Sequence, residues 1–159
     1  MNSTVNGVTI GIVKEVDDQG RVKMSFPGLG LEDSNWSRVA TPLAGKERGM
    51  QFMPEVDDEV LVAFDQGDVK TAFVLGYLWN GIDKNPQTDK NKRTLKTVSG
   101  HLLEFDDTSG SEKVTLKFKG GDPSIVMEQS KLSITFDSGT FIELSASGVK
   151  VKGTLIELN

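Results

Sequence analysis

A chain of 159 residues with no cysteine and a single histidine excludes a disulfide framework, a thiolate metal centre and any site that needs two imidazoles from one chain. Its net charge of −5 argues against nucleic acid, whose phosphates call for a basic face. No apolar run approaches the ~20 residues that span a bilayer. The opening Met1-Asn-Ser-Thr-Val-Asn-Gly7 has neither the basic region nor the apolar stretch of a signal peptide, so synthesis and assembly in a cytoplasm are the expectation.

The first half alternates. Val8, Ile10 and Ile12 share one side of a strand that runs to Val16, Asp17-Asp-Gln-Gly20 breaks it, and Arg21 to Phe26 resumes it with Val22, Met24 and Phe26 on one face. Two alternating runs around an Asp/Gly turn predict a hairpin. Pro27-Gly-Leu-Gly30 stops the second strand, and Trp36 to Ala40 reads as a third, ended by Pro42. Gly45 to Pro54 is too short for a stable helix and is expected to hold a single turn. Glu59–Phe64 and Thr71–Gly76 read as strands joined by Asp65-Gln-Gly-Asp68, a hairpin signal. Five short strands suggest a small barrel of the oligonucleotide/oligosaccharide-binding (OB) type, although the spacing fits an SH3-like barrel nearly as well.

Charge divides the chain. Residues 1–80 carry seven basic and twelve acidic side chains, whereas 81–94, where apolar residues nearly vanish, carry four basic and two acidic. The change of sign predicts a barrel domain over 1–80, a linker over 81–94 and a second domain over 95–159. In that last part Val114, Leu116 and Phe118 alternate with lysines and Thr115. Leu132, Ile134 and Phe136 do the same among polar residues, as do Val149 and Val151. A hexapeptide recurs three times, as Gly100–Phe105, Gly139–Leu144 and Gly153–Leu158, with Glu104, Glu143 and Glu157 in the same place. Ile142 and Leu144 fall on one face, Phe141 and Glu143 on the other. Repeated short strands punctuated by glycine mark a solenoid or a β-prism. So few apolar residues do not offset the entropy of ordering the segment, and lone strands would leave open edges. A closed cyclic oligomer follows, with the number of copies left open.

Several pieces of residues 8–81 occur in a familiar order. They are Arg21–Pro27, Trp36–Ala40, Ala44-Gly45, Phe52–Phe64, Gly67-Asp68, Val74–Gly76 and Trp79–Gly81, with Phe26, Pro27, Trp36, Pro54, Val60, Val62, Phe64, Gly67, Asp68 and Gly76 as the signature positions. This succession resembles the OB domain of the spike family shared by phage baseplate assembly protein V and the type VI secretion spike VgrG. The tail resembles that family's second part, an intertwined trimeric β-helix or β-prism needle. The resemblance implies an all-β, non-enzymatic homotrimer without a cofactor: the central spike of a contractile phage tail or related injection system. Its implied partners are a baseplate hub protein, other baseplate subunits and a PAAR-like tip protein, with only transient contact with a target membrane. The trimer core it implies is Leu103, Phe105, Val114, Leu116, Phe118, Leu132, Ile134, Phe136, Ile142, Leu144, Val149, Val151, Ile156 and Leu158. A tip protein would dock on Leu155, Ile156, Glu157, Leu158 and Asn159.

Two departures matter. Some relatives carry a lysozyme domain between barrel and needle, or a hub domain before the barrel, and neither is expected here. Others close the tip with a metal held by His-x-His motifs, but His101 stands alone and early, so no tip metal is expected and a surface or trimer-contact role fits it.

The acidic pairs Asp17-Asp18, Asp57-Asp-Glu59 and Asp106-Asp107 lack the spacing of a calcium loop and read as solvated turns. Adjacent carboxylates in turns also do not build the cleft that glycoside hydrolysis needs, so no cell-wall hydrolase is expected. Gly28-Leu-Gly30 lacks the third glycine of a nucleotide loop. Trp36 and Trp79 suit packing or partner contact better than base stacking in such acidic surroundings. The rival reading is a monomeric OB module for nucleic acid or carbohydrate, which would need a basic groove.

Overall fold

The computed structural model describes residues 4–157, which fall into two units, Met1–Lys84 and Asn85–Asn159. The first is a closed barrel. Its strands are β1 (Val8–Val16), β2 (Arg21–Ser25), β3 (Ser37–Val39), β6 (Glu59–Asp65) and β7 (Asp68–Tyr77), in the order β1-β2-β3-β7-β6. All pairs are antiparallel except β3 with β7, which sets Val39 beside Val74 and closes the sheet. The inward positions of each strand supply the core: Val13, Val22, Met24, Phe26, Val60, Val62, Phe64, Ala72 and Val74 are buried. Phe26 and Phe64 meet edge to face at 5.3 Å, an arrangement that suits the ring quadrupoles. Gly11 on β1 is glycine for want of room, since a Cβ there would lie 3.0 Å from Val62 Cγ2 and 3.2 Å from Met24 Sδ.

Between β3 and β6 the expected single turn falls at Lys46-Glu47, as the tip of a hairpin and not as a turn of helix. Residues 44–49 form this two-stranded hairpin, β4 (Ala44–Gly45) and β5 (Arg48–Gly49), closed by the Met50 amide donating to the Leu43 carbonyl at 2.9 Å. The β6–β7 connection is the tight hairpin its residues announce. Gln66 and Gly67 both have positive φ, 48° and 83°, and a Cβ on Gly67 would lie 2.3 Å from Thr4 Cγ2.

The second unit is a seven-stranded antiparallel meander. Its strands are β8 (Lys92–Lys96), β9 (Leu102–Asp106), β10 (Lys113–Phe118), β11 (Gly121–Glu128), β12 (Lys131–Asp137), β13 (Thr140–Ser145) and β14 (Gly148–Lys152), each paired with its neighbours in sequence. Backbone pairing is thus made inside one chain, because short turns let each strand fold back on the last. β8 starts at Lys92, within the stretch 81–94. The third hexapeptide departs from expectation: residues 153–157 form no strand, since they follow the edge strand β14 and have no further strand to pair with. Leu158 and Asn159 lie outside the described residues.

Candidate interaction surface

Strand register gathers the apolar side chains of the second unit into rows. Leu95, Leu103, Leu116, Ile125, Ile134, Ile142 and Val151 stand opposite one another across all seven strands. A second row, Phe105, Val114, Met127, Leu132, Leu144 and Val149, runs beside it from β9 to β14. Phe118 and Phe136 continue the alternation at the ends of β10 and β12, and the His101 ring packs 4.5 Å from Phe118. Side chains two apart share a face, so twelve of the expected core positions, Leu103 to Val151, lie on this one face.

That face is open. Leu116 is 51% exposed and Ile134 42%, and Ile142 and Leu144 are each 38% exposed. A groove of about 720 Å³ runs along it, lined by Leu116, Phe118, Ile125, Phe136, Ile142 and Val151. Leu155 and Ile156 border the same groove and are exposed, as is Glu157. Leu95, Ile125 and Met127 belong to the face although the sequence reading omitted them. Ile125-Val126-Met127 is a continuous apolar run, and its alternation emerges only once β11 is paired.

The opposite face is polar and more enclosed. Thr115, Ser124 and Asp106 are buried there, Asp106 at 6% exposure. Charges alternate along one of its rows, Lys92, Asp106, Lys113, Glu128 and Lys131. Lys92 Nζ lies 3.2 Å from Glu104 and 3.6 Å from Asp106, and Lys131 lies 3.7 Å from both Glu128 and Glu143. The hydrogen bond to Glu104 raises the Lys92 pKa above the usual lysine value. The Thr108 side chain and amide, with Lys92 and Lys113, hold Asp106 below the usual carboxylate range. A slip by one residue would separate these opposite charges and turn the apolar rows to the polar side, so this row opposes slippage. Phe141, one of the apolar residues on the polar side, is covered by Lys150 at 5.2 Å and Lys152 at 5.8 Å.

Asp106 is therefore not a solvated turn residue, and neither is Asp17. Asp17 accepts from the Arg21 amide and guanidinium, both at 2.7 Å. Burial pushes the Asp17 carboxyl up, but those Arg21 bonds outweigh it and set it below the usual value. Asp107 pairs with Arg93 at 2.9 Å, and Asp58 accepts from the Glu55 amide at 2.8 Å. Among the described residues no group of three or more His, Asp or Glu side chains gathers as for a metal.

The signature residues of the barrel serve its packing. Phe26, Val60, Val62 and Phe64 are core, and Pro54 and Gly67 are buried. Pro27 opens a 3-10 turn, Asp68 accepts from the Lys70 amide, and Gly76 pairs with Leu61. Trp36 lies against Lys23 at 4.9 Å and Arg21 at 5.7 Å, cations already paired with Glu15 and Asp17. Trp79 is exposed.

Residues 9–79 match the family model of the type VI secretion system/phage-baseplate injector OB domain. The chain is 33% identical over 113 residues, 63% of its length, to the type VI secretion system spike protein VgrG3 of Vibrio cholerae, and this covers 11% of that protein. It is 34% identical over 112 residues, 62% of its length, to the spike protein VgrG5 of Pseudomonas aeruginosa, covering 14% of it. The chain thus spans only a small part of these VgrG proteins. With the spike protein of Escherichia phage P2 it is 24% identical over 160 residues, covering 94% of this chain and 72% of that one. The closed five-stranded barrel is accordingly a type VI secretion system/phage-baseplate injector OB domain, and the chain that carries it is similar to the spike proteins of type VI secretion systems and of phage P2.

Proposed function

We propose that the chain is the structural central spike of a contractile phage tail or phage-tail-like injection system, built as a homotrimer. The observation that carries this reading is the open apolar face of the meander. Two full rows of large aliphatic and aromatic side chains stand in water on a single layer of sheet, and a sheet needs a second layer against such a face. Three copies facing one another about an axis supply it, and the needle is then a β-prism whose faces are the three meanders. Two sheets face to face would cover the same rows, so the number three comes from the likeness to the spike family, and the particle mass decides it.

The role is mechanical and not enzymatic. Thrust from a contracting sheath enters through the barrel, which acts as a collar gripping a separate baseplate hub protein and neighbouring baseplate subunits. It then passes down a needle stiffened by hydrogen-bonded strands and a dry interior. The needle's polar outside keeps it soluble during transient contact with the target membrane. A PAAR-like tip protein docks at the far end, on Leu155, Ile156 and Glu157 with Leu158 and Asn159. The spike is assembled in a bacterial cytoplasm and becomes part of a tail or injection particle. Light scattering on the purified chain tests the reading: a mass near three chains is expected, whereas a monomer that binds single-stranded DNA overturns it in favour of an OB binding module.

A further inference from the structure

The barrel has an apolar surface of its own, on the outside. Register sets Ile10 of β1 beside Leu61 of β6, and Val8 beside Ala63, which in turn neighbours Phe73 of β7. The alternation that buries Val60, Val62 and Phe64 turns Glu59, Leu61, Ala63 and Asp65 outward. An apolar patch therefore stands between two carboxylates on one strand. Val8 is 56% exposed and Ile10 45%, and among the described residues neither Glu59 nor Asp65 takes part in an ion pair. At its β7 side the Arg38 guanidinium covers Phe73 at 4.9 Å, while Val8 and Ile10 stay open to solvent.

The same unit also carries a matching shape. The β4–β5 hairpin is braced at its base by the Thr41 hydroxyl donating to the Met50 carbonyl. Leu43 and Met50 are each 45% exposed, and Phe52 47%. At the tip stand Lys46, Glu47 and Arg48, a net positive charge of one, and among the described residues neither cation has a carboxylate within ion-pair distance. It is an arm with an apolar flank and a basic end, on a unit that is otherwise acidic.

We propose that in the assembled spike this hairpin, residues 41–52, docks on the β1–β6–β7 face of a second copy. Leu43 and Met50 cover Val8, Ile10 and Leu61, while Lys46 and Arg48 meet Glu59 and Asp65. The proposal rests on the trimeric reading above. Copies this acidic repel one another, and each arm-to-face contact sets opposite charges together where the barrels would otherwise push apart. With one arm and one face per copy the contact is head to tail, the kind that closes into a ring under cyclic symmetry. The collar is then a ring of barrels linked arm to face, in addition to whatever the needle contributes.

The test uses full-length chains, half of them ¹⁵N-labelled, assembled together and first sized by light scattering. A carbodiimide then activates carboxylates, and an amine that attacks one forms an amide as the activating group leaves as a urea. The expected product joins Lys46 of one label to Glu59 or Asp65 of the other. Ile10→Lys, an outward change that leaves thermal unfolding of the barrel unaltered, lowers that mixed-label product about tenfold while the trimer mass holds. The proposal is overturned by a trimer in which Lys46 couples only within its own chain or not at all. It is equally overturned by a product that Ile10→Lys leaves unchanged, or by an arm that becomes protected only when another baseplate protein is added. A monomeric mass removes the spike reading itself, and this proposal with it.

Discussion

Ile142→Asp is the most exacting perturbation of the meander's apolar face. Ile142 lies mid-row between Ile134 and Val151 and keeps 38% exposure in the single chain. Covering that remainder in the proposed trimer would contribute about 1–2 kcal/mol per copy. Aspartate forfeits this gain and brings an unpartnered carboxylate into a dry seam, at about 3–5 kcal/mol more. Over three copies the loss is on the order of 10 kcal/mol or more, several decades of association constant at about 1.4 kcal/mol each. In the isolated sheet the same side chain is half in water, so the strands still pair. Light scattering at low micromolar concentration is expected to find single chains that retain a β-type circular dichroism spectrum. The control is the adjacent Glu143→Lys, on the polar face. It removes the carboxylate that lies 3.7 Å from Lys131 and places a lysine opposite Lys150, at about 0.2–1 kcal/mol. Ile142→Asp chains that remain trimeric with unchanged melting refute the assignment of the face, and so does equal damage from both changes.

Gly11→Ala is expected to destabilise the barrel by about 1–3 kcal/mol, because the new methyl group meets Val62 and Met24 and the core must shift. Urea titration followed by tryptophan fluorescence reads it, and an unaltered midpoint would mean that the neighbours yield freely. Asp17 is expected to give stability an acid limb. Its folded pKa is depressed, so its contribution is complete above the unfolded value near ~3.9 and is lost as pH falls through the lower folded value. Asp17→Asn should flatten that limb in a melting-temperature profile, and an unchanged slope would show that Arg21 holds the turn without the charge. Lys92 works at the other end of the scale. Its raised pKa makes its contribution complete below ~10.4 and lost as pH climbs through the higher folded value. Lys92→Met should therefore abolish a loss of sheet stability seen in strong alkali.

The barrel was legible in the sequence because every wall of it faces one small interior. Val22, Met24 and Phe26, then Val60, Val62 and Phe64, alternate cleanly since the inward positions of β2 and β6 have a single place to go. The face of the meander was legible for a related reason: period two survives on β10, β12, β13 and β14 whatever lies against them. What escaped lacked period. Two-residue strands such as β4 and β5 are too short to have any, and β11 hides its own behind Pro123 and three consecutive apolar residues. The third hexapeptide has the letters of a strand, but strand state depends on a neighbour, and residues 153–157 have none. Asp17 and Asp106 looked like turn residues in water because their partners, Arg21, Lys92 and Lys113, are brought to them by pairings no local pattern records. The outward face of β1 and β6 escaped too. Glu59 and Asp65 frame it so that each strand, taken alone, reads as an ordinary half-wet one.

Because every strand of the meander pairs with the one just made, the sheet has low contact order, and its hairpins zip up in microseconds, while the meeting of separate chains waits on diffusion and concentration. Synthesis therefore leaves an interval in which finished hairpins display their greasy side with nothing against it. Dilute expression lengthens that interval, whereas nascent chains on one message, emerging side by side, shorten it. Yield of the proposed trimer should thus depend on how closely the ribosomes are spaced as well as on how stable that assembly is.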